Sequence, residues 1–212
     1  MATYDLEEQE KIDGLKSWWE MYGTVVIVVV ATLVASVVGT QVWNRYQKQQ
    51  VEQAAELYAS LQQIDESDDP KKISAAAHLL IEGFPSSGYA PRAAMASARA
   101  RLEAGDKQAA RTRLQWAMDH TKENELKDLV QLRLAGLLLD EKKYDEALKL
   151  VESKHSESFS SLYADRKGDI LTASGKVPEA RVAYQLALDR INAESAYHNI
   201  IQMKLDALAE TK

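Results

Sequence analysis

Gly105-Asp-Lys-Gln-Ala-Ala110, Lys142-Lys-Tyr-Asp-Glu-Ala147 and Gly175-Lys-Val-Pro-Glu-Ala180 share one pattern. In each, a turn residue precedes an alanine by five positions. The three alanines lie 37 and 33 residues apart. Twelve residues before each of them stands another small residue: Ala98, Ala135 and Gly168. Seven residues after two of them comes a third, Ala117 and Ala187, and the bulky Leu114, Val151 and Tyr184 lie after the alanines. Small side chains at both sites let two antiparallel helices approach closely, so each stretch is the turn of a helix pair. Pro178 suits the start of the last second helix, where its missing N–H is harmless.

Outward from these turns, helical runs alternate with short breaks. Breaks fall at Asp65–Pro70, Gly83–Gly88, Gly105–Asp106, His120–Asn124, Lys142–Lys143, Ser153–Ser161, Ser174–Gly175 and Asn192–Ser195. The segments between them carry a 3.6-residue apolar period, and none reads better as a strand. The repeat length is close to the tetratricopeptide period of about 34 residues. The expected fold class is therefore all-α: a tetratricopeptide-like α-solenoid of stacked helix pairs. Residues 47–82 read as a more degenerate first pair. The run Ala196 to Leu208 places Tyr197, Ile201, Leu205 and Leu208 near one face, with Lys204 and Asp206 off it. It reads as the terminal helix that covers the last apolar face of a solenoid.

The N-terminal part is unlike the rest. Of the 212 residues 27% are charged, yet Met21 to Asn44 carries no charge. Gly23 to Val42 reads GTVVIVVVATLVASVVGTQV. A helix of that length reaches about 30 Å, the thickness of a bilayer's hydrocarbon core. Its Val, Ile and Leu side chains contribute about −3 to −7 kcal/mol to insertion. Trp18, Trp19 and Tyr22 precede it, and Trp43 and Tyr46 follow, as aromatic belts do. In lipid a lone strand leaves its backbone unsatisfied, so the valines form a helix. A cleaved signal peptide calls for a basic start and a shorter core, and the start here is acidic. The expected organisation is a tail over 1–22, a transmembrane helix over 23–43 and the helical domain over 44–212. Lys11 and Lys16 before the span nearly balance Arg45 and Lys48 after it, so the positive-inside count leaves orientation open. Ile12, Leu15, Trp18 or Trp19, and Tyr22 give the tail the period of a short interfacial helix. Ala31, Ala35 and Gly39 form a small-residue stripe that suits packing against another membrane helix, although Ala and Gly are common in such helices.

The residues offer little catalytic chemistry. The chain has no cysteine. The four histidines, His78, His120, His155 and His198, stand in no metal-binding spacing. Phosphate-binding loops and a nucleophile elbow are missing, and neither an enzyme nor a cofactor is expected. The acidic run Asp65, Glu66, Asp68, Asp69 lacks the Gly and bidentate Glu of a calcium loop and reads as a solvated loop. Arg92, Arg99, Arg101, Arg111 and Arg113 read as a solvated helix face, with Trp116 alone as an aromatic platform for RNA. A pI near 5.3 argues against nucleic acid. What remains is binding. By repeat register, Met95, Leu102, Leu129, Leu132, Leu139 and Leu162 fall on the concave face, which suits exposed apolar polypeptide. The competing expectation is that these side chains pack against neighbouring helices.

The acidic tail, the single span and the helix pairs together resemble the YfgM family of bacterial inner-membrane proteins. Glu123-Asn-Glu-Leu-Lys…Leu132-Arg-Leu-Ala, Ala164-Asp-Arg-Lys-Gly168-Asp…Gly175-Lys and Gln202-Met-Lys-Leu carry much of the likeness. The resemblance implies a cytoplasmic N-terminus and a periplasmic helical domain. It implies association with the SecYEG translocon and the chaperone PpiD, and help in passing translocated clients to periplasmic chaperones. An alternative it also implies is negative regulation of the Rcs stress response through the cytoplasmic tail. It assigns no catalytic residue.

Overall fold

The computed structural model describes residues 3–64 and 70–210. The expected Asp65–Pro70 break, and the acidic run within it, fall outside the described residues apart from Pro70. The described chain divides into two compact units, residues 1–51 and 52–212. Among the described residues every regular element is helical.

The first helix, α1, runs Thr3–Gln62 without interruption. The expected interfacial helix, the span and the first helix of the degenerate pair are thus one element. No proline or paired breaker lies between them, so nothing in the chain ends the helix. In the first unit the apolar side chains point outward: Val25, Ile27, Leu33, Val34 and Val37 are all exposed. The segment is long and apolar enough to cross a membrane. The rings of Trp18 and Tyr22 meet at its start, and those of Trp43 and Tyr46 at its end.

In the second unit the end of α1 is followed by α2 (Pro70–Gly83), α3 (Tyr89–Glu103), α4 (Lys107–His120), α5 (Asn124–Asp140) and α6 (Tyr144–Val151). A 3₁₀ turn at Glu157–Phe159 leads into α7 (Ser160–Ala173), α8 (Val177–Arg190) and α9 (Ala196–Glu210). From α2 onward each helix packs chiefly on its chain neighbours, and α5 also touches α7. That is the contact order of a solenoid.

The small–turn–small register is where the pairs close. Ala110, Ala117, Ala135, Ala147, Ala180 and Ala187 are fully buried, as is Ala98 to within 1%. Leu114, Val151 and Tyr184 are buried beside them. Each such large side chain contributes roughly 1.5–3 kcal/mol of burial. At Gly168 there is no room for more: an added Cβ would lie 2.4 Å from Tyr184 Cε1. The three turns are the same motif. Gly105, Lys142 and Gly175 all have positive φ, at 80°, 59° and 78°. In each, the N–H of that residue and of the next close back on the preceding helix, as in Asp106 N–H to Arg101 O at 2.8 Å, Lys143 to Leu138 at 2.8 Å and Lys176 to Leu171 at 2.9 Å. This is the Schellman ending, which satisfies carbonyls the helix leaves open.

Two buried carboxylates tie the longer connections down. Asp128 on α5 accepts from the Ser156 backbone N–H at 2.9 Å and from the Ser156 hydroxyl. Tyr163, stacked on His155 with ring centroids 4.1 Å apart, donates from its hydroxyl to the Asp128 backbone carbonyl at 3.1 Å. Asp165 on α7, 2% exposed, accepts from Tyr197 Oη at 2.6 Å and Lys204 Nζ at 2.8 Å. Lys204 also reaches Asp169 at 2.8 Å. Lys204 was expected off the packed face of α9. Its long stem instead carries the ammonium back to α7, so the residue helps to dock the last helix.

Candidate binding groove

A groove of about 540 Å³ lies in the second unit. Its walls are the first helices of three successive pairs: the end of α1, α3 and α5. Each presents residues at helical spacing. Tyr58, Leu61 and Gln62 come from α1, and Leu126, Leu129 and Arg133 from α5. From α3 come Arg92, Met95, Ala96, Arg99, Ala100 and Glu103, and Ile64 and Ile73 close one side. Helices with their faces turned to one groove follow from the solenoid register, since each pair repeats the orientation of the last.

The floor is apolar and firm. Met95 is 5% exposed, and Leu129 is half-buried against the core. The Tyr58 ring packs on Tyr89 with centroids 5.3 Å apart. The polar rim is mostly arginine. Arg92 makes a forked pair with Glu123, at 2.8 and 2.6 Å, and also donates to Gly88 O at 2.6 Å. The hydrogen bond between Arg92 and Glu123 raises the Arg92 pKa and lowers that of Glu123. Arg99 pairs with Glu103 at 3.0 Å. Arg133 has no carboxylate partner among the described residues. Partial burial of its side chain, and then the neighbouring charge of Arg99, pull its pKa down. Arg92 and Arg99 each meet a glutamate, so Arg133 carries the lining's uncompensated positive charge, in a domain where residues 47–212 hold 23 basic and 26 acidic side chains.

Of the six expected concave-face residues, Met95 and Leu129 line this groove. Leu132 is 8% exposed and belongs to the core, and Leu139 and Leu162 are half-buried against it. Leu102 is exposed but lies outside the lining. Ala31, Ala35 and Gly39 stand exposed on α1, with open space around Gly39. Arg92 and Arg99 carry the groove's rim, where the sequence suggested only a solvated face. Their i, i+7 spacing around Met95 is the signal that links them to it. Arg133 and Tyr58 were missed. Among the described residues no group of three His, Asp or Glu side chains converges as a metal site. The groove can hold and orient a ligand, and its residues bring no nucleophile and base together.

Residues 16–210 match the family model of a tetratricopeptide repeat-like domain. The chain belongs to that family. Several relatives match along nearly all of the chain, the apolar helix included. A Neisseria gonorrhoeae protein named "Ancillary SecYEG translocon subunit" is 29% identical, covering 98% of this chain and 100% of its own. Proteins of the same name from Haemophilus influenzae and Escherichia coli K12 are 27% and 24% identical. They cover 97% and 99% of this chain and all of their own. These relatives agree with the YfgM resemblance. The fold is also that of MamA 41-end from Desulfovibrio magneticus RS-1, with a TM-score of 0.54, 17% identity and coverage of 74% of this chain and 90% of that one.

Proposed function

We propose that the protein is a single-pass inner-membrane interaction module associated with the SecYEG translocon. The observation that carries the reading is the likeness of anchor and repeat domain together to translocon subunits over their full lengths. In this reading, residues 1–22 are a cytoplasmic tail, 23–43 the span and 44–212 a periplasmic domain. The domain binds the membrane-anchored chaperone PpiD and helps to pass emerging clients to periplasmic chaperones. An apolar groove framed by the first helices of the repeats supports a polypeptide-binding role.

Photo-crosslinking from residues within α1, followed by identification of the partners, tests the reading. A translocon component among the products is expected, and its absence from every product overturns the proposal. Protease added to spheroplasts should digest residues 44–212; protection there reverses the topology. Deleting residues 1–16 should leave translocon association intact. A stress-response phenotype with unchanged association would instead place the working part in the tail.

A further inference from the structure

The groove's charge and its apolar floor together specify more than a generic peptide site. We infer that it receives an acidic, apolar polypeptide segment, with a carboxylate at Arg133 and apolar side chains on the floor of Met95 and Leu129. The inference rests on reading the domain as an interaction module and names the class of partner for that same site.

Charge complementarity is the first argument. Arg133 faces the groove beside Arg99, with no carboxylate partner among the described residues. Two guanidinium groups side by side repel one another, and an anion between them relieves that repulsion. Arg99 is already tied to Glu103, so the open demand falls on Arg133. The planar fork of an arginine matches a carboxylate, making charge-assisted hydrogen bonds about twice as strong as neutral ones. The second argument is the floor. Met95, Ala96, Leu126 and Leu129 offer apolar contact between the positive groups. Methionine adapts to varied apolar partners. A nucleic acid strand wants stacking rings with its positive charge, and Tyr58 is packed on Tyr89 instead. A polypeptide alternating acidic and apolar side chains satisfies both halves of the lining.

The test uses the full chain in detergent micelles and fluorescein-labelled decapeptides, read by anisotropy. A peptide of alternating Asp and Leu should bind. The same peptide with Lys for Asp should not, and one with Ser for Leu should bind more weakly. Arg133 is exposed, so Arg133→Gln should leave the helical circular dichroism unchanged while weakening the Asp–Leu peptide about tenfold. Arg133→Lys should recover part of the loss. Equal binding of the Asp and Lys peptides, or unchanged affinity of Arg133→Gln, overturns the inference. So does full displacement of the peptide by a twelve-nucleotide oligouridylate. Translocon crosslinks that persist while no peptide binds sink this inference alone; peptide binding without translocon crosslinks sinks the proposed function alone.

Discussion

At the scale of single residues, the repeat is a set of distance limits. Lys142 stands where the other two turns have glycine, and it adopts the same left-handed conformation. A side chain there costs about 1–2 kcal/mol, offset in part by the lower entropy of its unfolded chain. Lys142→Gly should therefore raise stability by about 0.5–1 kcal/mol. A urea midpoint that falls would contradict this. Gly168→Ala should act the other way. The new methyl group meets the ring of Tyr184, which is buried and donates from its hydroxyl to Asp169 at 3.0 Å. Overpacking of this kind costs about 1–3 kcal/mol. Glu123 gives a pH signature. Its folded pKa lies below the ordinary 4.5 because Arg92 donates to it. Its contribution is thus complete above about 4.5 and is lost as pH falls through the lower folded value. Glu123→Gln should be less stable than the parent at pH 7, and the gap between them should close on acidification. A gap independent of pH would mean that the ion pair contributes nothing.

At the scale of elements, the last helix is held by polar groups as well as by apolar burial. Asp165 is nearly inaccessible, and its partners Tyr197 and Lys204 both come from α9. Removing one partner of a buried charge costs about 3 kcal/mol, because the other is left unpaired. Lys204→Met should cost that much, and Asp165→Asn in the same chain should recover part of it. The two effects measured separately should not add. The elements themselves were legible because close helix approach demands small side chains at fixed spacing, a constraint that Ala98, Ala110 and their counterparts display directly. Lys204 was not legible in the same way. An apolar-period reading assigns a lysine to solvent, and only the third dimension shows the carboxylates its stem can reach. The groove was legible in part for a related reason. Repeat register puts Met95 and Leu129 on the first-helix face, but it does not fix how successive pairs rotate. Leu132 packs into the core, while Arg133 lines the groove with Arg99. Tyr58 comes from the degenerate first pair, where the repeat signal is weakest.

At the scale of the whole molecule, composition hides two unlike parts. Residues 1–46 hold three basic and six acidic side chains, and the remainder holds 23 and 26, so each part has the same net charge of −3. What distinguishes the first part is the charge-free stretch of α1 that it contains, whose apolar side chains find no cover in the first unit. Water is a poor solvent for that surface, and a bilayer is a good one. The balance is quantitative. The apolar side chains of Gly23–Val42 favour insertion by about 3 to 7 kcal/mol, and one aspartate near the centre of a span opposes it by about 3. Val30→Asp alone should therefore leave the chain largely in the membrane. Val30→Asp with Leu33→Asp should cancel most of the gain, since both lie near mid-span and each also removes an apolar side chain. Alkaline carbonate extraction of membranes reads the difference: the single variant should stay in the pellet and the double variant should move to the supernatant. A double variant that still pellets without aggregating would show that contacts other than the apolar helix hold the protein at the membrane. The helical domain would then be more than a passenger on its anchor.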